Sequence, residues 1–175
     1  MTQTVNKVAI IGGGIAGCTT AYVLAKRGYK VSIYERNATL ANEGSGNPVG
    51  LLYPRLSGDA TSREFLLAAY LHSLTFYRTL DLKPEIFCQS GLLQLAFNAR
   101  EEKRIHNCAM HTPTHIARLA SADEAAAFAG IPCEHTALYF PEAAWLKPKA
   151  VCEQLSNHQN ISVITLKNIN KILNK

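Results

Sequence analysis

The stretch Lys7 to Glu35, KVAIIGGGIAGCTTAYVLAKRGYKVSIYE, constrains this chain more than any other. Val8, Ile10 and Ile11 form a short β-branched apolar run that ends in Gly12-Gly13-Gly14-Ile15-Ala16-Gly17, and the apolar spacing then changes from strand-like to helical. Gly12 permits a tight turn, Gly14 lets backbone approach a pyrophosphate, and Gly17 lets the helix pack close to the strand. A helix starting at such a turn aims free N–H groups and the positive end of its dipole at an anion. Ala21 and Leu24 are expected on its buried face, and Gly28 ends it.

Val31, Ile33 and Tyr34 make the second strand, with Glu35 at its carboxyl end, 18 residues after Gly17. A carboxylate there accepts the hydroxyls of an adenosine ribose and repels a 2′-phosphate, which disfavours NADP. A lone GxGxxG says little. Here strand, turn, helix, second strand and terminal acid occur together, so the segment reads as a dinucleotide-binding unit and the fold class as α/β, Rossmann-like with a parallel sheet.

With 175 residues, 47% of them hydrophobic, the chain has enough apolar material for a packed core. No apolar run reaches the ~18 residues of a membrane span, and MTQTVNK places none before the first strand, so no membrane partner and a cytoplasmic location are expected. Five scattered cysteines with no CxxC pair indicate neither a disulfide framework nor a zinc site. His106, His111 and His115 lack an acid or cysteine to complete a ligand set, so no metal is expected; His72 reads as a surface or partly buried histidine. The formal charge of +5 is spread along the chain and permits a nucleic-acid partner without requiring one.

Residues 36–54 are rich in Gly, Asn, Ser and Pro and read as one long loop. Ser45, Gly46, Asn47 and Gly50 offer small side chains and backbone N–H groups suited to a wall against a planar ring; an ordinary flexible connection fits the composition equally well. Residues 61–80 predict a long amphipathic helix, capped at Thr61 or Ser62, with Phe65, Ala69, Leu74, Tyr77 and Leu80 at helical spacing. Ile86–Cys88 and Gly91–Phe97 suggest two short strands around a turn. Asn98 or Ala99 opens a charged helix, and Ser121 opens another that stops at Gly130, with a loop through His111–His115 between them. Ala137–Phe140 reads as a strand, Pro148 to about Asn157 as a helix, and Ile161–Leu166 as a strand. The expected organisation is a nucleotide domain over 1–80, a mixed α+β insertion over 81–147, and a return to the nucleotide domain over 148–175. Three parallel strands are few for a doubly wound sheet and the insertion has few strands for a sheet of its own, so the chain is expected to be a fragment of a longer polypeptide.

The glycine corner and Glu35 resemble the amino-terminal half of FAD-dependent amine and amino-acid oxidases of the D-amino-acid oxidase superfamily. Three further stretches narrow the likeness: SGNPVGLLYP from Ser45, SGLLQL from Ser90, and LYFP from Leu138 through WLKP from Trp145. Together they are similar to the oxidase part of the bifunctional tRNA 5-methylaminomethyl-2-thiouridine biosynthesis (MnmC) family. That resemblance implies FAD as cofactor, tRNA as partner, and oxidative removal of a carboxymethyl group, as glyoxylate, from 5-carboxymethylaminomethyl-uridine at the wobble position.

Carried over by position, the resemblance implies that Gly12, Gly13, Gly14, Ile15, Ala16 and Gly17 hold the pyrophosphate and Glu35, followed by Arg36, the ribose. Ser45, Gly46, Asn47 and Gly50 would lie by the flavin and its phosphates, and Ile169 near adenine. A substrate carboxylate calls for an arginine. Arg55 is the candidate, with a surface arginine as the rival reading; Gln94 and Trp145 are candidates to line the substrate side or, equally, to pack. The family's methyltransferase half would precede the first strand, so methylation is not assigned to this chain. Two other readings stay open: a glycine or sarcosine oxidase acting on a small-molecule amine, and an FAD-binding fragment without catalysis.

Overall fold

In the computed structural model, which describes residues 6–56 and 60–171, the chain divides into two compact units: residues 1–50 with 146–175, and residues 51–145. The first unit is built on a parallel sheet of three strands in the order β1-β2-β9: β1 (Lys7–Ile11), β2 (Lys30–Tyr34) and β9 (Ile161–Ile164). Val31 and Ile33 are buried and alternate with half-buried Ser32 and Tyr34, as a strand with unlike faces requires. Helix α1 (Ile15–Lys26) buries Cys18, Ala21 and Ala25 at spacings of three and four, while Leu24 is only half-buried. It packs against α5 (Pro148–Ser156), which buries Val151, Cys152 and Leu155 and has proline in its first turn. Small residues on α1 allow this close approach. Gly28, at φ +89°, turns the chain out of α1 toward β2.

The second unit carries two further three-stranded sheets. One has the order β3-β8-β4, from β3 (Gly50–Leu52), β8 (Ala144–Leu146) and β4 (Phe87–Cys88). The other is antiparallel, with β7 (Ala137–Phe140) between β5 (Leu92–Leu95) and β6 (Arg118–Ala120). Leu138 and Phe140 of β7 join Leu56, Ile105, Cys108 and Ala117 in the main core of this unit. Ile105 and Cys108 come from α3 (Ala99–Met110), whose N-cap Asn98 accepts the Glu101 N–H at 2.9 Å. Helix α4 (Ala122–Ala129) has a complete capping box between Ser121 and Glu124 and stops at Gly130, φ +68°. Helix α2 (Ala60–Arg78) completes the set.

Several expectations need correction. The division falls after Gly50, so residues 51–80 cluster with 81–145 and not with the nucleotide unit; residues 1–5 and 172–175 of the expected nucleotide domain lie outside the described residues. Residues 36–54 are not one loop, because a 3₁₀ turn at Gly44–Gly46 and strand β3 interrupt them. Thr61 and Ser62 lie inside α2, which starts at Ala60, and Phe65 is 71% exposed, the buried positions being Tyr70, Leu74 and Leu80. The two short strands around a turn at 86–97 are present as β4 and β5, but they join different sheets: Gly91 (φ +76°) redirects the chain and its N–H bonds to the Ala143 carbonyl. The two further sheets use β6 and β8, which the sequence reading left out, and one of them also takes in β3 from before the expected insertion.

Candidate functional site

At the carboxyl ends of β1 and β2 the backbone opens a cleft of about 350 Å³, lined by Gly12, Gly14, Glu35, Arg36, Lys167 and Ile169 among others. This is where a parallel α/β sheet places its ligands. Gly12 closes the turn at φ +100°, donating its N–H to the Tyr34 carbonyl at 2.8 Å. A Cβ at Gly17 would collide with the Gly12 carbonyl oxygen, so only glycine lets α1 begin this close to β1. Gly13 is buried behind the cleft, where a Cβ would collide with Leu40.

Glu35 is the one buried charged side chain among the described residues, 6% exposed. Its Oε2 accepts the Gly13 N–H at 2.7 Å; its Oε1 accepts the Asn37 N–H at 2.8 Å and the Asn37 amide at 2.9 Å. Burial alone would push this carboxyl upward, but the N–H groups of Asn37 and Gly13, the Asn37 amide and the Arg36 charge outweigh it and hold it below the ordinary glutamate value. The carboxylate is thus ionised and fixed. Two oxygens offer about four acceptor positions and three are filled, which leaves Oε2 able to accept one hydroxyl from a ligand in the cleft.

Ile15 starts α1, and the Ser45 hydroxyl accepts its N–H at 2.9 Å, so the 3₁₀ turn is pinned to the helix N-terminus. No acidic side chain occupies the first turn of α1, and the helix dipole there is free to favour an anion. These features fit the ADP part of FAD: a diphosphate at the glycine turn and a ribose hydroxyl on Glu35. Arg36 is exposed and paired with Glu43 at 2.9 Å. Ala16, Gly46 and Asn47 are exposed; Gly50 is half-buried in β3, and a Cβ there would press on Pro148. Ile169 lines the cleft.

Arg55 and Gln94 come together in a second cleft, of about 300 Å³, within the second unit, lined also by Tyr53, Leu56, Glu101 and Arg104. Trp145 is half-buried on β8 and does not line it. Among the described residues no cluster of three metal-ligating side chains occurs; the Nδ1 atoms of His106 and His111 lie 2.8 Å from the backbone carbonyls of Glu102 and Asn107. No helix among the described residues is long and apolar enough to cross a membrane. Sequence reasoning missed Asn37, Lys167 and Arg104. Only Asn37 carried a signal, as a side-chain amide two residues past the acid, the spacing at which Asn bonds back locally.

Residues 7–158 match the family described as FAD dependent oxidoreductase (DAO). The tRNA 5-methylaminomethyl-2-thiouridine biosynthesis bifunctional protein MnmC of Methylobacillus flagellatus is 42% identical over 159 residues, covering 90% of this chain and 25% of that protein. The MnmC of Nitrosospira multiformis is 40% identical over 159 residues, covering 89% and 26%. The chain thus spans about a quarter of the length of these relatives. Among solved structures, glycine oxidase from Bacillus cereus superposes with a TM-score of 0.75 at 24% identity, over 96% of this chain and 49% of that one. L-proline dehydrogenase from P. horikoshii also gives 0.75, at 18% identity, over 96% and 46%. Both likenesses speak to the fold.

Proposed function

Because this chain belongs to the family of FAD-dependent oxidoreductases, we propose that it supplies the FAD-binding machinery of an enzyme that removes the carboxymethyl group from 5-carboxymethylaminomethyl-uridine at the tRNA wobble position. The observation that carries the FAD assignment is the buried, ionised Glu35 carboxylate, which lines the cleft and is bonded to the Gly13 amide behind it. The similarity to MnmC proteins over 90% of the chain supports the substrate.

In this reading Gly12, Gly14 and Gly17 shape the turn that receives the diphosphate, and the first-turn amides of α1 neutralise it. Glu35 accepts a ribose hydroxyl, while Asn37 and Gly13 keep its carboxylate from rotating. Ile169, which lines the cleft, would give the adenine an apolar contact, and the likeness to the family assigns Ser45, Gly46, Asn47 and Gly50 to the flavin side. When bound, FAD supplies two-electron oxidation of the N–CH₂ bond, giving an imine that water hydrolyses to glyoxylate and the aminomethyl nucleoside. Arg55 and Gln94, which line one cleft of the second unit, face the substrate in this reading, and Trp145 on β8 packs outside that cleft. The formal charge of +5 suits a polyanionic partner such as tRNA.

Mass spectrometry of wobble uridines in cells lacking the full-length gene tests the reading. Build-up of the carboxymethylaminomethyl form is expected; unchanged nucleosides reject it. The second reading, a glycine or sarcosine oxidase, has the Bacillus cereus fold likeness in its favour. Turnover of free glycine or sarcosine without salt-sensitive tRNA binding would favour it.

A further inference from the structure

We propose that Glu43 is a specificity-determining residue of the nucleotide cleft: it holds the Arg36 guanidinium and the Asn37 amide so that the ribose end presents a carboxylate and turns away a nucleotide carrying a 2′-phosphate. The proposal deepens the proposed function and rests on its assignment of this cleft to the ADP part of FAD.

Glu35 and Arg36 are neighbours in sequence with opposite preferences. An acid at the end of the second strand accepts ribose hydroxyls, whereas an arginine close by accommodates a 2′-phosphate. Both residues line the cleft. Glu35 is committed, because it is buried and already accepts the Gly13 and Asn37 donors. The choice therefore falls to the partner of Arg36, and that partner is Glu43, whose Oε1 lies 2.9 Å from Arg36 Nη2. The same oxygen accepts the Asn37 side-chain amide at 3.2 Å, while that amide also donates to Glu35 Oε1 at 2.9 Å. One carboxylate oxygen thus restrains the cation that could reverse the selectivity and steadies the amide that fixes the ribose acceptor.

Charge points the same way. Two carboxylates, Glu35 and Glu43, and two cations, Arg36 and Lys167, line the cleft, which leaves it without net charge. A ribose hydroxyl needs none. A phosphate monoester brings about −1.5 to −2 of charge at neutral pH and would have to draw Arg36 away from Glu43, leaving that carboxylate unpaired beside it. The Arg36 and Glu43 side chains are 64% and 63% exposed, so their pairing adds little to the stability of the fold and acts on where the guanidinium stands. Glu43 is itself placed by the glycine corner. On one side of it Ala41 donates its N–H to the Gly13 carbonyl at 3.0 Å, and on the other the Ser45 hydroxyl accepts the Ile15 N–H at 2.9 Å.

The test uses the intact full-length protein freed of FAD, with ADP-ribose and 2′-phospho-ADP-ribose as probes, each titrated by calorimetry. The wild type is expected to bind ADP-ribose about tenfold or more tightly than its 2′-phosphorylated counterpart. Glu43→Gln keeps an acceptor for the Asn37 amide and removes the charge. ADP-ribose affinity should then stay within about threefold, while 2′-phospho-ADP-ribose tightens about fivefold or more. Adding Arg36→Ala to that variant should abolish the gain. A contribution to folding alone would weaken both probes together and leave their ratio where it was. Unchanged selectivity in Glu43→Gln, a change that comes only from weaker ADP-ribose binding, or a gain that survives the loss of Arg36 overturns the proposal. So does a wild type that prefers the 2′-phosphorylated probe. The two readings fail separately: a wild type that binds neither probe rejects the FAD assignment and this inference with it, whereas ADP-ribose bound with unaltered selectivity in Glu43→Gln rejects the inference and leaves the assignment standing.

Discussion

Glu35 Oε2 accepts the backbone N–H of Gly13 at 2.7 Å across 22 positions of chain, tying the end of the second strand to the turn after the first. The acid is therefore a structural clamp on the glycine corner as well as a candidate ribose acceptor. Glu35→Gln places an NH₂ donor against either the Gly13 N–H or the two Asn37 donors. We expect a loss of about 1–3 kcal/mol in stability, the cost of a buried donor left without its acceptor. FAD affinity should fall about tenfold or more, one charge-assisted bond being worth that much. Chemical denaturation and flavin fluorescence titration check both, and unchanged affinity would remove Glu35 from the site.

The same carboxyl sets a pH dependence. Burial pushes it upward, yet the Asn37 and Gly13 N–H bonds, the Asn37 amide and Arg36 hold it lower than in the unfolded chain. A group with a depressed folded pKa contributes stability that is present above its unfolded value, about 4.3, and is lost as pH falls through the folded value. The stability difference between the wild type and Glu35→Gln should therefore be constant from neutral pH to about 5 and shrink below about 4. Urea denaturation across that range measures it; a gap that persists unchanged to pH 3 contradicts the assignment.

The glycine corner was legible because its causes are local: each residue from Val8 to Glu35 acts on neighbours in the same βαβ unit. Gly13 and Leu40 are an exception that only packing reveals. β3, β6 and β8 escaped notice because three residues, GLL, RLA and AWL, are too few to display a period of two. The sheet membership of the two strands at 86–97 was not legible for a different reason. Both strands are real, but partner choice depends on β7 and β8, which come some fifty residues later, a distance that local turn chemistry does not encode. Arg104 was hidden within AREEKRIHNCAM, which reads as a solvated charged face, although it lines the cleft that Arg55 and Gln94 also line.

Two glycine substitutions should separate folding from binding. At Gly17 an alanine methyl would meet the Gly12 carbonyl, a backbone atom that no rotamer change can move aside. Gly17→Ala should cost about 1–3 kcal/mol or more and lose FAD with it. Gly14 has φ −80°, acceptable to alanine, and the nearest neighbour of an added Cβ is the Ser45 hydroxyl at 3.1 Å. Gly14→Ala should hold stability to within about 0.5 kcal/mol while weakening FAD, because the methyl stands where the diphosphate must approach. Thermal melts in the absence of nucleotide, set beside FAD titrations, give the comparison; equal destabilisation by both would refute it.

Phe140 is 1% exposed in the second unit's core, and Tyr53, a wall of that unit's cleft, leans edge-on against it. Removing the ring leaves a cavity that Leu138, Ile105 and Ala117 must fill by collapsing, so Phe140→Ala should cost about 3–5 kcal/mol, much of a domain's total stability. Phe140→Leu fills more of that space and should cost roughly 1–2 kcal/mol. The chain has one tryptophan, Trp145, which lies in the same unit and reports its unfolding directly. Urea titration of Phe140→Leu followed by Trp145 fluorescence should show an earlier midpoint. ADP affinity at the glycine corner, whose contacts all lie in the first unit, should stay at the wild-type value. If ADP affinity fell in step with the midpoint, the two units would have to fold as one cooperative body, and the core around Phe140 would then support the nucleotide cleft as well as its own.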